Sequence, residues 1–158
     1  MHPSVNLMWD SYLAGQSQSS QCATAAPPAW YFCANEADAN ECAQLVLSGT
    51  KRATSPSLWF FAASGEALPR VGDLNIVTDW HGKAVCIIRT TKVQILPFNE
   101  VTAVHAAIEG EGDGSLDWWC KVHWDYYQHE LQGSGYEPRP DMPVVFQQFE
   151  CIFPKGKA

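Results

Sequence analysis

An amine and a hydroxyl stand three positions apart at Lys51 and Thr54, within Gly49-Thr50-Lys51-Arg52-Ala53-Thr54, where a helix gives way to extended chain. A lysine that is desolvated can act as a base, and a threonine becomes a nucleophile once a neighbouring base takes its proton. Strand geometry alone sends the two side chains to opposite faces, so their cooperation requires a turn, which Gly49 and the change of element allow. Taken in isolation the pair reads as two surface residues. A second cluster, Glu109-Gly110-Glu111-Gly112-Asp113-Gly114, offers carboxylates on a glycine-punctuated loop. One of them can pair with Lys51 and shuttle a proton, two or three can hold a hard divalent cation, or all can be solvated loop charges. A third stretch carries Trp118, Trp119, His123, Trp124, Tyr126, Tyr127 and His129. Helical spacing assigns Trp119, His123 and Tyr127 to a core stripe, which leaves Trp118, Tyr126 and Trp124 as faces for stacking a base. Dinucleotide-binding, phosphate-loop, zinc-protease and serine-hydrolase motifs are absent.

These groups must be positioned by a modest chain. Its 158 residues, 46% apolar and 17% charged, suit one soluble domain that buries roughly 70% of its unfolded surface. No window approaches the roughly 20 apolar residues of a membrane span. The first 30 residues lack Lys and Arg, and Asp10 and a Gln/Ser run interrupt any apolar centre, so a cytoplasmic location is expected. Six cysteines without a C-x-x-C pair argue against zinc and suit reduced thiols. The formal charge of -7 disfavours a protein that coats nucleic acid. Between Lys51 and Lys92, however, six basic residues face three acidic ones, so a local anion-tolerant site fits within an acidic protein.

Val5, Met8, Trp9 and Tyr12 predict a short N-terminal helix, a lid or flank followed by a loop to Pro28. A second helix is expected over Ala37 to Ser48, with acidic residues at its start and Gly49 as its stop. Leu58 to Ala63, Leu74 to Asp79 and Val85 to Ile95 read as strands, with His81-Gly82 at a hairpin tip. Asn99 is placed as the cap of a short helix through His105, and Ser115 as the cap of a longer one reaching Leu131. A closing strand, Val144 to Phe153, completes an α+β pattern whose strands suggest a small barrel.

Four blocks in register carry a resemblance over nearly the whole chain: Gly49 to Thr54, Leu68-Pro69-Arg70-Val71-Gly72-Asp73, Glu109 to Asp113 with Ser115-Leu116-Asp117-Trp118-Trp119, and Asp141-Met142-Pro143-Val144-Val145. Together they resemble the longer bacterial members of the ASCH family, the activating signal cointegrator homology domains. The resemblance implies a single domain over residues 1–158, a PUA-like small β-barrel flanked by helices, with residues 1–28 as an N-terminal helix and loop extension. Its cleft would take a nucleoside or single-stranded RNA. It also implies an amidohydrolase that removes the N4-acyl group of acetylated cytidine without a cofactor. Lys51 and Thr54 match the family's Lys and Thr. The family's Glu corresponds to Glu109 when aligned through His105, and to Glu111 when aligned through Ser115-Leu116. Arg52, Arg70, Trp118 and Tyr126 are the expected substrate-binding residues. Other members look like metal-aided ribonucleases, here with Glu109, Glu111 or Asp113 on a divalent ion. Others are non-catalytic RNA-binding modules, here using Lys51, Arg52, Arg70, Lys83 and Arg89. Gly114 and Cys120 stand where the longer relatives usually carry basic residues, which weakens a grip on an RNA backbone.

Overall fold

Short side chains set where most helices start. In the computed structural model, which describes residues 1–17 and 25–156, His2 caps helix α1 (Pro3–Ala14) and Asn35 caps α2 (Glu36–Leu47) through the Asp38 amide. Between them lies the two-residue strand β1 (Ala29–Trp30). After Gly49 come β2 (Ala53–Thr54), α3 (Leu58–Ser64), β3 (Leu74–Thr78) and β4 (Ala84–Pro97). Helices α4 (Ala103–Glu109) and α5 (Leu116–Glu130) precede β5 (Pro143–Phe153). Cys22 and the end of the Gln/Ser run lie outside the described residues.

Two expectations are corrected. The aromatic run at Leu58 is a helix, because Ser57 caps its first turn and Gly65, with φ 74, closes its last. Capping at both ends here overrides strand propensity. Asn99 lies inside a single 3-10 turn, and the cap of α4 is Thr102, whose hydroxyl accepts from the His105 amide while the His105 ring accepts from the Thr102 amide.

The chain forms two compact units that alternate along the sequence, one of residues 1–49, 74–89 and 151–158, the other of 50–73 and 90–150. In the first, β1 runs parallel to β3 and β3 antiparallel to β4. Its turn is tied by Asp79, whose carboxylate accepts from the amides of His81 and Lys83. Val5 and Trp9 of α1 are buried with Ile76 and Ile87, so the expected flank is part of this core. In the second, β2 pairs antiparallel with β5, and Trp119, Tyr127, Met142, Val144 and Phe146 fill the interior. Burying one such large apolar side chain contributes about 1.5–3 kcal/mol.

Hydrogen bonding orders the strands β1-β3-β4-β5-β2. The fold is therefore mixed α+β, as expected, but the sheet is open among the described residues and the expected barrel is not closed. Its two edge strands have two residues each, too few to extend a ladder around a barrel wall.

Candidate functional site

The extended segment after α2 is held on both sides. The Arg52 amide donates to the Ile108 carbonyl at the end of α4, and the Arg52 carbonyl accepts from the Phe149 amide of β5. Burial then alternates as a strand requires: Lys51, Ala53 and Ser55 point inward, whereas Arg52 is exposed and Thr54 half-buried. No turn intervenes between Lys51 and Thr54. The lysine Nζ donates to the Ala53 carbonyl at 2.7 Å, on the peptide group that leads into Thr54.

Nζ also lies 2.7 Å from Glu111 Oε1, with the lysine side chain 1% and the glutamate side chain 12% exposed. A cation is expensive to bury unless an opposite charge accompanies it, and Glu111 supplies that charge. The glycine-rich loop delivers it. Gly110 ends α4 with φ 67 and lies against residue 50, so that a Cβ there would come within 2.1 Å of the Thr50 carbonyl oxygen. Gly110→Ala is therefore expected to lower the melting temperature by several degrees, through a backbone clash and a left-handed conformation that alanine resists. Thermal unfolding of the variant checks it. Gly112 lies over the Trp118 indole, where a Cβ would approach to 2.2 Å, so one ring face of Trp118 is covered.

Glu109 occupies the floor. It is fully buried; Oε1 accepts from Ser55 Oγ at 2.5 Å, and Oε2 accepts from the Trp119 indole N–H and lies 3.0 Å from His123 Nε2. His123 Nδ1 lies 2.9 Å from the Trp119 carbonyl, which can only accept, so Nδ1 carries a proton. Burial by itself would raise the Glu109 pKa, but the charges of His123 and Lys51 and the hydrogen bonds from His123 and Ser55 outweigh it and hold the carboxyl at about 2. Burial would likewise lower His123, and the Glu109 carboxylate reverses that, raising the imidazole above its ordinary value. Glu109 with His123 and Glu111 with Lys51 thus form two adjacent ion pairs of cancelling charge. Beneath them Tyr127 donates to the Ser55 carbonyl at 2.6 Å.

Ser55, Trp119, His123 and Tyr127 were not among the expected site residues. The core stripe of α5 contains three of them, and its alternation of aromatic rings with an imidazole was the available signal. Of the expected residues, Lys51, Glu109 and Glu111 come together, while Thr54 is half-buried at the alternate position of the strand. Arg70 and Tyr126 make their contacts elsewhere. The Arg70 amide donates to Asp73, and the Tyr126 hydroxyl donates to Glu130. Burial pushes the Glu130 carboxyl up to about 7 against the hydrogen bonds from the Ser57 amide and Tyr126. Lys51, being buried and paired, is withdrawn from the set of cations expected to touch phosphate, whereas Arg52, Arg70, Lys83 and Arg89 are exposed.

Glu109, Glu111 and His123 each offer a ligand atom, all within 4.8 Å of one another. Asp113, expected alongside them, instead accepts from the Ser115 amide at 2.8 Å. A divalent ion there would have to displace the Lys51 ammonium from Glu111 and the His123 proton from Glu109.

The chain is thus a mixed α+β domain with a buried lysine between a strand and a glycine-rich helix-to-helix loop. Residues 28–153 match the family model of the ASCH domain, and the chain belongs to that family. It is similar to the crystal structure of an ASCH domain from Lactobacillus crispatus, at 39% identity and TM-score 0.89, covering 96% of this chain and 95% of that one. It is also similar to a protein from Enterococcus faecalis, at 33% identity and TM-score 0.84, covering 96% of this chain and 90% of that one. Among curated proteins none matches. Among the described residues, no helix is long and apolar enough to cross a membrane.

Proposed function

We propose that this ASCH domain hydrolyses the N4-acyl amide of a cytidine nucleoside. The observation that carries the reading is the buried Lys51–Glu111 pair, 2.7 Å long, lying against the Ala53 carbonyl next to Thr54. A proton passed from the ammonium to the carboxylate leaves a neutral amine, and that amine takes the Thr54 hydroxyl proton as the oxygen attacks the acyl carbon. The C–N bond then breaks, and the cytosine amine leaves with a proton returned through Lys51 or Glu111. Water next hydrolyses the acyl-threonine ester, which frees the acid and restores the hydroxyl.

Thr54 suits the nucleophile better than Ser55, whose hydroxyl is buried and committed to Glu109. Glu111, in contact with the lysine and slightly exposed, is the proton carrier. Glu109 has both oxygens engaged and acts as the buried counter-charge that positions the site. Exposed Arg52 and half-buried Trp118 are the groups offered to substrate. An uncharged nucleoside asks little of an acidic protein, since stacking on one aromatic ring supplies about 1–3 kcal/mol per base.

Incubation with N4-acetylcytidine is the test, read as release of cytidine and acetate. Turnover by wild-type protein that survives chelation of divalent ions is expected. Unchanged substrate with folded protein overturns the reading. The Glu109, Glu111 and His123 donor set favours a second reading, a metal-aided ribonuclease acting on single-stranded RNA or, without turnover, an RNA-binding module. Chelator-sensitive RNA cleavage supports the ribonuclease, and salt-sensitive RNA retention without cleavage supports the module.

A further inference from the structure

Five described cysteines carry thiols, and four of them fall into two neighbouring pairs. Cys33 Sγ and Cys42 Sγ lie 3.6 Å apart, Cys42 buried on α2 and Cys33 half-buried in the turn that leads into it. Cys33 has φ 66, the one positive value at a described residue other than glycine, a conformation that side chains rarely adopt without a reason supplied by their surroundings. Nothing in the proposed hydrolysis uses either sulfur.

We propose that Cys33 and Cys42 form a dithiol that hydroperoxides convert reversibly into a disulfide. A disulfide is about 2.05 Å long, so the sulfurs need to close by about 1.5 Å, a movement within reach of side-chain rotation. The short separation in sequence makes the closure local. Cys33, the more accessible sulfur, meets the oxidant first. Its thiolate attacks one peroxide oxygen and the O–O bond breaks, leaving a sulfenic acid on Cys33 and hydroxide, or alkoxide from an organic peroxide. The Cys42 thiolate then attacks the Cys33 sulfur; the S–S bond forms, the S–O bond breaks, and the departing hydroxide takes a proton to become water. Two electrons pass from the sulfurs to the peroxide, and a small dithiol reductant reverses the change.

Cys86 and Cys151 are the rival pair. They are mutually hydrogen-bonded, and that bond pulls the Cys151 thiol down to about 7 while Cys86 is pushed up. Cys86, however, is fully buried.

The test treats the full-length reduced protein with hydrogen peroxide, blocks remaining thiols with a maleimide, and maps peptides without reduction. The expected result is a mass lower by about 2 Da before blocking, two fewer maleimide adducts, and one cross-linked species joining the Cys33 and Cys42 peptides. Dithiothreitol should restore both thiols. Cys33→Ser should remove that species and leave the other thiols open to blocking. Over-oxidation of Cys33 to sulfinic acid with no cross-link overturns the proposal, as does a cross-link that maps to Cys86 and Cys151 or to Cys22. All of these readouts are independent of the hydrolase assignment.

Discussion

Thr54→Val is expected to reduce turnover of N4-acetylcytidine by roughly 1,000-fold or more while leaving the melting temperature within a few degrees of wild type. The substitution keeps the branched shape and removes only the hydroxyl of a half-buried edge-strand residue, so its structural effect is small. Lys51→Ala should abolish turnover as well, but it leaves the partly buried Glu111 without its ammonium and so also lowers stability. Reading the two together separates chemistry from folding. Ser55→Ala is the informative contrast. It takes a hydrogen bond from Glu109 and should lower stability without eliminating turnover, because Ser55 is not the attacking oxygen. If Thr54→Val retains full activity and Ser55→Ala loses it, the nucleophile has been assigned to the wrong face of the strand.

Glu109→Gln is expected to be the most destabilising single change at the site, by about 3–5 kcal/mol, because it strips a buried imidazolium of its counter-charge. For a chain of this length that corresponds to a fall in melting temperature on the order of 10 °C. The effect should depend on pH in a defined direction. The Glu109 carboxyl is held below its ordinary value of 4.5, so its contribution is present above that value and is lost as pH falls toward about 2. His123 is raised above its ordinary 6.5, so its contribution is complete below 6.5 and is lost as pH climbs through the raised value. The difference in stability between wild type and Glu109→Gln should therefore be widest between pH 4.5 and 6.5 and narrow on both sides. Chemical denaturation across pH measures it. A difference that stays constant as pH rises from 6.5 would show that His123 is neutral in the fold.

Helix α5 shows what was readable in advance. Ser115 as cap, the Trp119–His123–Tyr127 stripe and Gly133 beyond the end are local signals, and the helix runs Leu116–Glu130 as those signals require. The β3–β4 hairpin was legible for the same reason, since runs of β-branched and aromatic residues and the turn chemistry of Trp80 to Lys83 are encoded within a few residues. The Leu58–Ser64 segment was misread because seven residues rich in Trp and Phe satisfy either element, and only the caps decide between them.

The candidates stand in the residues alone: a lysine with a threonine three residues on, and two glutamates two residues apart on a loop rich in glycine. It could not choose between those glutamates, because adjacent turns of chain place either one within reach. Tertiary structure separates them by direction. Glu109 ends α4 pointing into the core, where Ser55, Trp119 and His123 close around it, and Gly110 reverses the chain so that Glu111 comes back over Lys51. Likewise, periodicity assigned His123 to a buried stripe, but its charge depends on a carboxylate fourteen positions earlier, a long-range encounter that no local pattern records.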